Sequence, residues 1–177
     1  MRVRGTMQAG QGMRGAGRGA QLLELALVLP ILLLLVVGVW DFGSLLLLKD
    51  RLTNAAREGA RIAVSNPLAN PFGSSCGTVP CSIQAAHDAV VQYLNNAGLD
   101  ASCLAAAAPA QSGFVWAWQC NGNGIALTID RAATVLTPGD STRVSLSWPL
   151  RWMLQQLMPA NTFPASVTTN VSMKNLT

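Results

Sequence analysis

The chain has 177 residues, enough for about one domain, and half of them are hydrophobic while only 11% are charged. This composition excludes an intrinsically disordered protein and argues against a nucleic-acid-binding repeat array. The net charge of +4 arises in the first 19 residues, which hold four of the twelve Lys and Arg residues, since the remaining eight balance the eight acids. We therefore expect no basic face for nucleic acid.

An apolar run of sixteen uncharged residues extends from Leu25 to Trp40. As a helix this run spans about 24 Å, and extension to Leu48 gives about 36 Å, enough to cross a hydrocarbon core of about 30 Å with some tilt. We expect one membrane span over about residues 22–48, within a long helix over residues 20–65. The preceding arginines predict a cytoplasmic N-terminus, with the rest of the chain on the outer side of the membrane.

A cleavable signal peptide is the alternative interpretation of a charged start followed by an apolar segment. After Val39 the chain has no A-x-A pattern, and a second leucine run stands where a signal peptidase would need an extended polar segment. Ordinary signal-peptide cleavage is therefore disfavoured.

The sequence GAQLLE places Gly19 five residues before Glu24, at the edge of the apolar run. A charged group costs about 2.5 to 3.5 kcal/mol at the bilayer centre and less near the headgroups, so it generally has a partner or a function. If the chain is cut after Gly19, Ala20 exposes a new ammonium group one helical turn from Glu24, and a neighbouring subunit can supply the counter-charge. The alternative is that Glu24 only extends to the membrane interface.

A basic leader that ends in glycine, a Glu at the fifth position after it and a long apolar helix resemble type IV prepilins and pseudopilins. Residues 22–64 are similar to the N-terminal region of the TadE-like family, the minor pseudopilins of tight-adherence (Flp, type IVc) pili. The matching positions are Glu24, Leu29, Pro30, Gly38, Asp41, Phe42, Gly43, Asn54, Ala55, Ala56, Arg57, Glu58, Gly59, Ala60 and Arg61.

The resemblance implies that a membrane-embedded prepilin peptidase cuts between Gly19 and Ala20, so that residues 1–19 are a removed leader. Major Flp pilins have Glu-Tyr at this junction, whereas Glu24 is followed by Leu25, which implies a minor component. The resemblance also implies a bacterial inner-membrane protein with a periplasmic domain that can enter the pilus. Its partners would be other minor subunits, inner-membrane platform proteins and the bilayer, and it would act in pilus initiation, assembly or a tip complex, with no cofactor, nucleic acid or small-molecule substrate.

Beyond the membrane, one face of the long helix carries small and apolar residues: Leu52, Ala55, Ala56, Gly59, Ile62 and Ala63. Small side chains permit close approach by another helix or a sheet, and such a stripe is more typical of packing within a domain than of subunit contact. Pro30 is expected to bend the helix, and Asn66-Pro67 to end it.

Residues 66–177 predict a small periplasmic α+β domain. Its first part reads as a loop over 66–80, a helix over 82–97 with Ser82 as its cap and Gly98 as its stop, and a linker over 105–113. Strands are predicted over 114–120, 125–130, 142–148 and 165–174, with a short helix over 149–159 before the last one. We expect a pilin-like fold, in which a three- to four-stranded antiparallel sheet packs against the long helix.

Four cysteines lie on the predicted outer side, which is an oxidising compartment. Three pairings are possible, of which we favour Cys76 with Cys81 and Cys103 with Cys120. A zinc site is the competing interpretation, but the chain has no C-x-x-C pair and a single histidine, His87, so we expect no metal site.

Nucleophilic catalysis would have to use His87 as its base. His87 lies on the predicted 82–97 helix beside the apolar stripe, where we expect a surface or rim residue, and the Asp88 side chain points about 100° away around the helix. No catalytic residue, and no enzyme, is therefore expected. The alternatives to a tight-adherence pseudopilin are a type II secretion pseudopilin and a signal-anchored periplasmic binding or hydrolytic domain.

Overall fold

The computed structural model describes residues 16–65, 75–76, 78–122, 124–131, 141–153, 162 and 164–174. The first element is a 50-residue helix, α1 (Ala16–Ser65), which is about 75 Å long at 1.5 Å per residue. It begins four residues before the predicted start and ends where the following Asn-Pro sequence predicts. The helix continues through Pro30.

A small α+β domain follows the long helix, and the fold class agrees with the prediction. Five of its strands form one antiparallel sheet in the order β3-β4-β5-β6-β7, and the other two form a separate hairpin. The elements are β1 (Ser75–Cys76), β2 (Val79–Pro80), α2 (Cys81–Asn96), α3 (Ser102–Ala106), β3 (Ala110–Ser112), β4 (Val115–Gln119), β5 (Ala126–Asp130), β6 (Ser141–Pro149) and β7 (Ser166–Lys174).

The core of the domain lies between one face of the sheet and the two helices α1 and α2. Side chains of the three central strands alternate between this face and the other, as a half-buried sheet requires. The buried set from the strands is Trp116, Trp118, Leu127, Ile129, Val144 and Leu146. From the helices it includes Leu52, Ala55, Ala56, Ala60, Ala63, Ile83, Ala86, Val90 and Leu94. The small-residue stripe of α1 therefore packs inside the protein's own domain, as expected.

Several elements lie wholly or partly in segments predicted to lack regular structure. The 105–113 linker contains the end of α3 and all of β3, so the sheet has five strands where three or four were expected. Strand β3 is short and fully exposed, and it pairs with β4 through a turn in which Gly113 has φ of +60°. An edge strand without apolar residues has no alternating pattern, which is why the sequence does not reveal it. The predicted 66–80 loop ends in the β1–β2 hairpin, while residues 66–74 lie outside the described part.

The predicted cap of the second helix is wrong. Helix α2 begins at Cys81 with Pro80 in the capping position, and no side chain caps it. Ser82 is instead buried and accepts a hydrogen bond from the Arg131 guanidinium. At its other end α2 stops as predicted, because Gly98 has φ of +78° and Leu99 donates its amide to the Leu94 carbonyl.

The segment before the last strand also differs from the prediction in its described part. Strand β6 extends to Pro149, where the short helix over 149–159 was expected to begin, and within 150–153 only Met153 has a helical, 3₁₀-type conformation. Residues 154–161 of that predicted helix lie outside the described residues. The four predicted strands agree with β4 to β7 to within one residue at each end.

Gly59 lies where α1 packs closely against α2. A Cβ atom placed on it would overlap with Cγ2 of Val90 and lie 3.4 Å from the Ala86 carbonyl oxygen. We expect Gly59→Ala to lower the free energy of unfolding by about 1 kcal/mol, because overpacking costs about 1 to 3 kcal/mol while alanine returns about 1 kcal/mol in a helix interior. Urea titration of the detergent-solubilised protein, followed by fluorescence of the buried Trp116 and Trp118, measures this change.

The matched control for this prediction is Gly43→Ala on the same helix, where an added Cβ has no atom within 4 Å. This variant should unfold at the same or a slightly higher urea concentration than the unmodified protein, because alanine is favoured over glycine in a helix interior and meets no overpacking at this position. A Gly59→Ala midpoint equal to that of the control would contradict the close approach.

Candidate functional site

The N-terminal part of α1 is not covered by the domain. From Gln21 to Val36 every residue is exposed, and the most hydrophobic stretch of the helix has no buried residue. The large apolar side chains on this stretch each keep about half or more of their surface exposed. Since soluble monomers rarely expose an apolar surface of this size, the helix needs another apolar environment. Among the described residues it is the one candidate membrane span, which indicates a single-pass membrane protein.

Gly19 and Ala20 lie near the start of α1, and Glu24 follows one helical turn after Ala20. Gly19 is exposed, and a Cβ atom added to it would meet no atom within 4 Å. The Glu24 side chain is exposed as well. No described side chain therefore buries Glu24, although apolar residues follow it directly.

Asp41, at the other end of the uncharged run, is in the opposite situation. Its residue surface is only 6% exposed, and its Oδ1 accepts a hydrogen bond of 3.4 Å from the Met153 amide. Ser44 donates its hydroxyl to the Asp41 backbone carbonyl at 2.8 Å. The neighbouring Phe42 is exposed, so the Asp-Phe-Gly sequence places an acid toward the domain and an aromatic ring away from it.

Further along α1, polar residues follow a second helical stripe. Asn54, Arg57, Glu58 and Arg61 have the spacing i, i+3, i+4 and i+7, and all but the half-buried Glu58 are exposed. Arg61 donates two hydrogen bonds to Glu58, with Nη2 to Oε1 at 2.6 Å and Nε to Oε2 at 3.0 Å. These hydrogen bonds hold the pKa of the Glu58 carboxyl below its ordinary value.

The N-terminal helix contains the part of the chain that matches a known family. Residues 19–61 match the family model for TadE-like protein. The resemblance to the TadE-like family is thus confirmed over this segment. A search of curated proteins and a search of solved structures find no match for the chain.

TadE-like proteins are structural proteins of pili, so the match indicates a protein associated with the Tad pilus and other pilus components as its partners. The matched segment begins at Gly19 and ends at Arg61, and therefore includes Glu24, Asp41 and Gly59. In this structure these three residues have three different surroundings: an exposed surface, the contact with the Met153 segment, and the core of the domain.

The domain contains two disulfides, Cys76–Cys81 and Cys103–Cys120, the same pairing that the sequence favours. The first joins β1 to the start of α2, and the second joins α3 to the residue that follows β4. Within the described ranges no group of three or more His, Cys, Asp or Glu side chains is arranged to hold a metal ion.

The expectation that His87 lies at the surface is wrong. It is 3% exposed, its ring stacks on Trp118 at 4.6 Å between centroids, and its Nε2 lies 3.1 Å from the Leu104 carbonyl oxygen. Asp88 was expected to point away, yet its Oδ1 lies 2.9 Å from the His87 Nδ1. The ring is covered because α3 and β4 pack over this side of α2, a tertiary contact that helical periodicity cannot reveal.

Arg131 is a site residue that the sequence analysis missed. It follows β5, is buried, and its Nη2 donates to the Ala63 carbonyl and to the Ser82 hydroxyl, both at 2.9 Å. The Ala63 carbonyl belongs to the last turn of α1, where such groups have no partner within the helix. Burial lowers the pKa of Arg131 from its usual value. A lone arginine after a strand carries no sequence signal for this contact.

The hydrogen bonds from Arg61 make the contribution of Glu58 to stability depend on pH. A carboxyl whose pKa is lower in the folded protein stabilises it above the unfolded-state value, and this contribution is lost as pH falls. We expect Glu58→Gln to lower the unfolding midpoint slightly at neutral pH and to have no effect well below the ordinary Glu value of 4.5. The effect is small because the pair lies at the protein surface, where Arg61 is exposed and Glu58 is partly exposed.

Arg61→Gln provides the comparison for this measurement, because it removes the other partner of the same pair. The double variant should be no less stable at neutral pH than either single variant. Equal effects of Glu58→Gln at neutral and acidic pH would contradict the contribution of the ion pair.

Proposed function

We propose that this protein is a minor pseudopilin of a tight-adherence pilus, with an N-terminal leader over 1–19 that a prepilin peptidase removes. The mature chain would cross the bacterial inner membrane once, with its C-terminal domain in the periplasm. It would act in pilus initiation, assembly or a tip complex together with other minor subunits and inner-membrane platform proteins.

The observation that carries this proposal is the extent of the family match. It begins at Gly19, the residue after which a peptidase would cut, and it extends past the apolar helix to Arg61. An unrelated membrane-spanning helix would also contain the apolar residues. It would not be expected to have Gly, Glu, Asp and Arg at the same positions as this segment.

The division of α1 into two parts supports the same function. The domain encloses the face of α1 that contains Leu52 and Ala63, while the surface of the helix from Gln21 to Val36 is exposed. One continuous helix thus carries a folded domain at one end and an apolar surface at the other. Such a surface can contact lipid while the protein resides in the membrane and contact other apolar helices in an assembly.

Glu24 would give this assembly its register. An exposed carboxylate beside an apolar surface favours a position where a positive charge is near, and cutting before Ala20 creates such a charge on every mature subunit. Because Ala20 and Glu24 are one turn apart, the ammonium group of one subunit can approach the Glu24 carboxylate of its neighbour with only a small shift along the helix axis.

The alternatives explain fewer of these features. A type II secretion pseudopilin also has a glycine at the end of its leader and a glutamate at the fifth position after it, but the family that matches this chain is the TadE-like one. A periplasmic binding or hydrolytic domain needs a pocket with convergent polar groups. Within the described part of the chain, a groove of about 850 Å³ runs along α1 from Leu35 to Arg51 beside Leu99, and apart from Ser44 and Arg51 its lining is apolar.

The first test is the N-terminus of the mature protein. Mass spectrometry of the protein extracted from membranes of cells that contain the pilus system should identify a chain that begins at Ala20. The matched control is a Gly19→Leu variant, which should retain Met1 because the added side chain obstructs the peptidase cleft. An unmodified protein that retains Met1, or one cut beyond Asp41, would contradict the proposal.

The second test concerns Glu24 itself. Glu24→Ala should leave the protein inserted in the membrane at its normal level but strongly reduce the number of pili, because the partner of the new ammonium group is lost. Gln21→Ala, a change of another exposed polar residue one turn away on the same helix, should leave piliation normal. Normal piliation in Glu24→Ala cells would reduce Glu24 to an interface residue.

A further inference from the structure

We propose that residues Pro149–Met153, here called the basal loop, form a second membrane contact, which lies in the headgroup layer of the leaflet on the domain side. This inference rests on the proposed function, since it requires that α1 spans a bilayer. It adds a surface of the folded domain to the part of the chain that contacts lipid.

The basal loop lies against the side of α1, just beyond its longest uncharged run. Residues Asp41, Ser44, Leu45 and Leu48 of the helix and residues 149–152 of the loop together line a small cavity of about 150 Å³. The Met153 amide donates a hydrogen bond to the Asp41 carboxylate. The loop is therefore level with the helix turns from Asp41 to Leu48.

The free faces of the same turns show how deep this level is. Phe42, Leu46 and Leu47 each keep about half or more of their surface exposed. If lipid covers these side chains, the membrane extends to about Leu47, and the basal loop on the other face lies within it. If the hydrocarbon instead ends at Trp40, the loop lies directly on its surface, so either boundary brings the loop into contact with the bilayer.

The loop covers a length of helix somewhat greater than the thickness of the headgroup layer. From Asp41 to Leu48 the helix rises by about 10 Å. The headgroup region of a bilayer is about 5 to 8 Å thick on each side. If the hydrocarbon ends at Trp40, a loop that covers these turns therefore starts in the polar layer of the membrane and extends slightly beyond it, outside the hydrocarbon core.

The side chains of the basal loop suit this layer. Met153 is 67% exposed and Arg151 is exposed, which offers an apolar contact for acyl chains beside a cation for lipid phosphates. Trp152 donates its indole N–H to the Pro164 carbonyl at 2.9 Å. Trp40, 71% exposed on α1 at the same level, adds a second indole of the kind that is enriched at membrane interfaces.

The loop also lowers the free-energy cost of placing the Asp41 carboxylate near the end of a membrane span. A carboxylate that faces lipid near the end of a membrane span is unfavourable unless polar groups surround it. The basal loop covers Asp41 and supplies an amide donor, so the acid faces protein where the rest of the turn faces the membrane.

Fluorescence quenching in vesicles tests the contact, and the chain offers a clean labelling scheme because all four native cysteines form disulfides. Met153→Cys in the full chain is labelled with an environment-sensitive fluorophore and reconstituted in phosphatidylethanolamine–phosphatidylglycerol vesicles with brominated acyl chains. The matched control is Ser112→Cys, an exposed position on the side of the domain away from the proposed membrane. Ser112 pairs with Val115, which pairs with Asp130. The next residue, Arg131, contacts the last turn of α1. Leu33→Cys reports on the helix itself.

We expect the fluorophore at position 153 to lose most of its emission in brominated vesicles, with a blue-shifted maximum, and the one at position 112 to keep most of it. Equal, weak quenching at positions 153 and 112 would overturn the basal-loop contact. Strong quenching at position 33 in that same experiment would show that the membrane span remains valid, whereas weak quenching at position 33 would contradict the membrane insertion on which the proposed function depends.

Discussion

One helix, α1, packs into the domain along one part of its length and exposes an apolar surface along another part. The rest of the structure depends on this division. The domain covers one face of α1 between Leu52 and Ala63, while no described residue of the domain buries the surface from Gln21 to Val36. An apolar surface of this kind is stable only against lipid or against other apolar helices. The domain therefore buries its own part of α1, whereas the exposed apolar surface of the helix requires lipid or other helices.

The connection between these two parts depends on close packing at the outer half of α1. Gly59 and the neighbouring alanines allow α2 to approach without intervening side chains, so that Val90 lies where a Cβ of residue 59 would be. Arg131 then satisfies a carbonyl of the last turn of α1 from the end of β5. Packing along the helix and a hydrogen bond at its end together fix the domain on α1, so a displacement of the helix would carry the domain with it.

Local patterns in the sequence were sufficient for much of this fold. The apolar run predicts a helix, and the structure confirms it. The helical spacing in α2, the alternation in β6 and the Gly98 stop each act within a few residues, and the structure confirms the element that each predicts. The side chains that were misjudged depend on distant partners. His87 is buried because Trp118 and α3 cover it, and Ser82 serves Arg131 and not the helix end. Strand β3 exists because β4 lies beside it, since its own three residues are all exposed.

The same limit applies to the candidate site. Glu24 could be singled out from sequence because an acid at the edge of an apolar run is unusual in any fold. Asp41 could be matched to the family, but its cover by Met153, 112 positions away, appears only in three dimensions. The basal loop was predicted as the start of a helix, because its apolar residues were interpreted without the helix α1 beside which they lie.

Glu24 and Asp41 lie at the two ends of the uncharged run of α1, and their surroundings differ. They are 17 residues apart, about 26 Å along the helix, which is close to the thickness of the hydrocarbon core. If this run spans the bilayer as proposed, both carboxylates lie near a membrane boundary. The chain's own loop surrounds Asp41, and this arrangement needs no other subunit. Glu24 remains exposed beside the apolar surface, so in the proposed assembly it is the acid that gains more from a positive group on a neighbouring subunit.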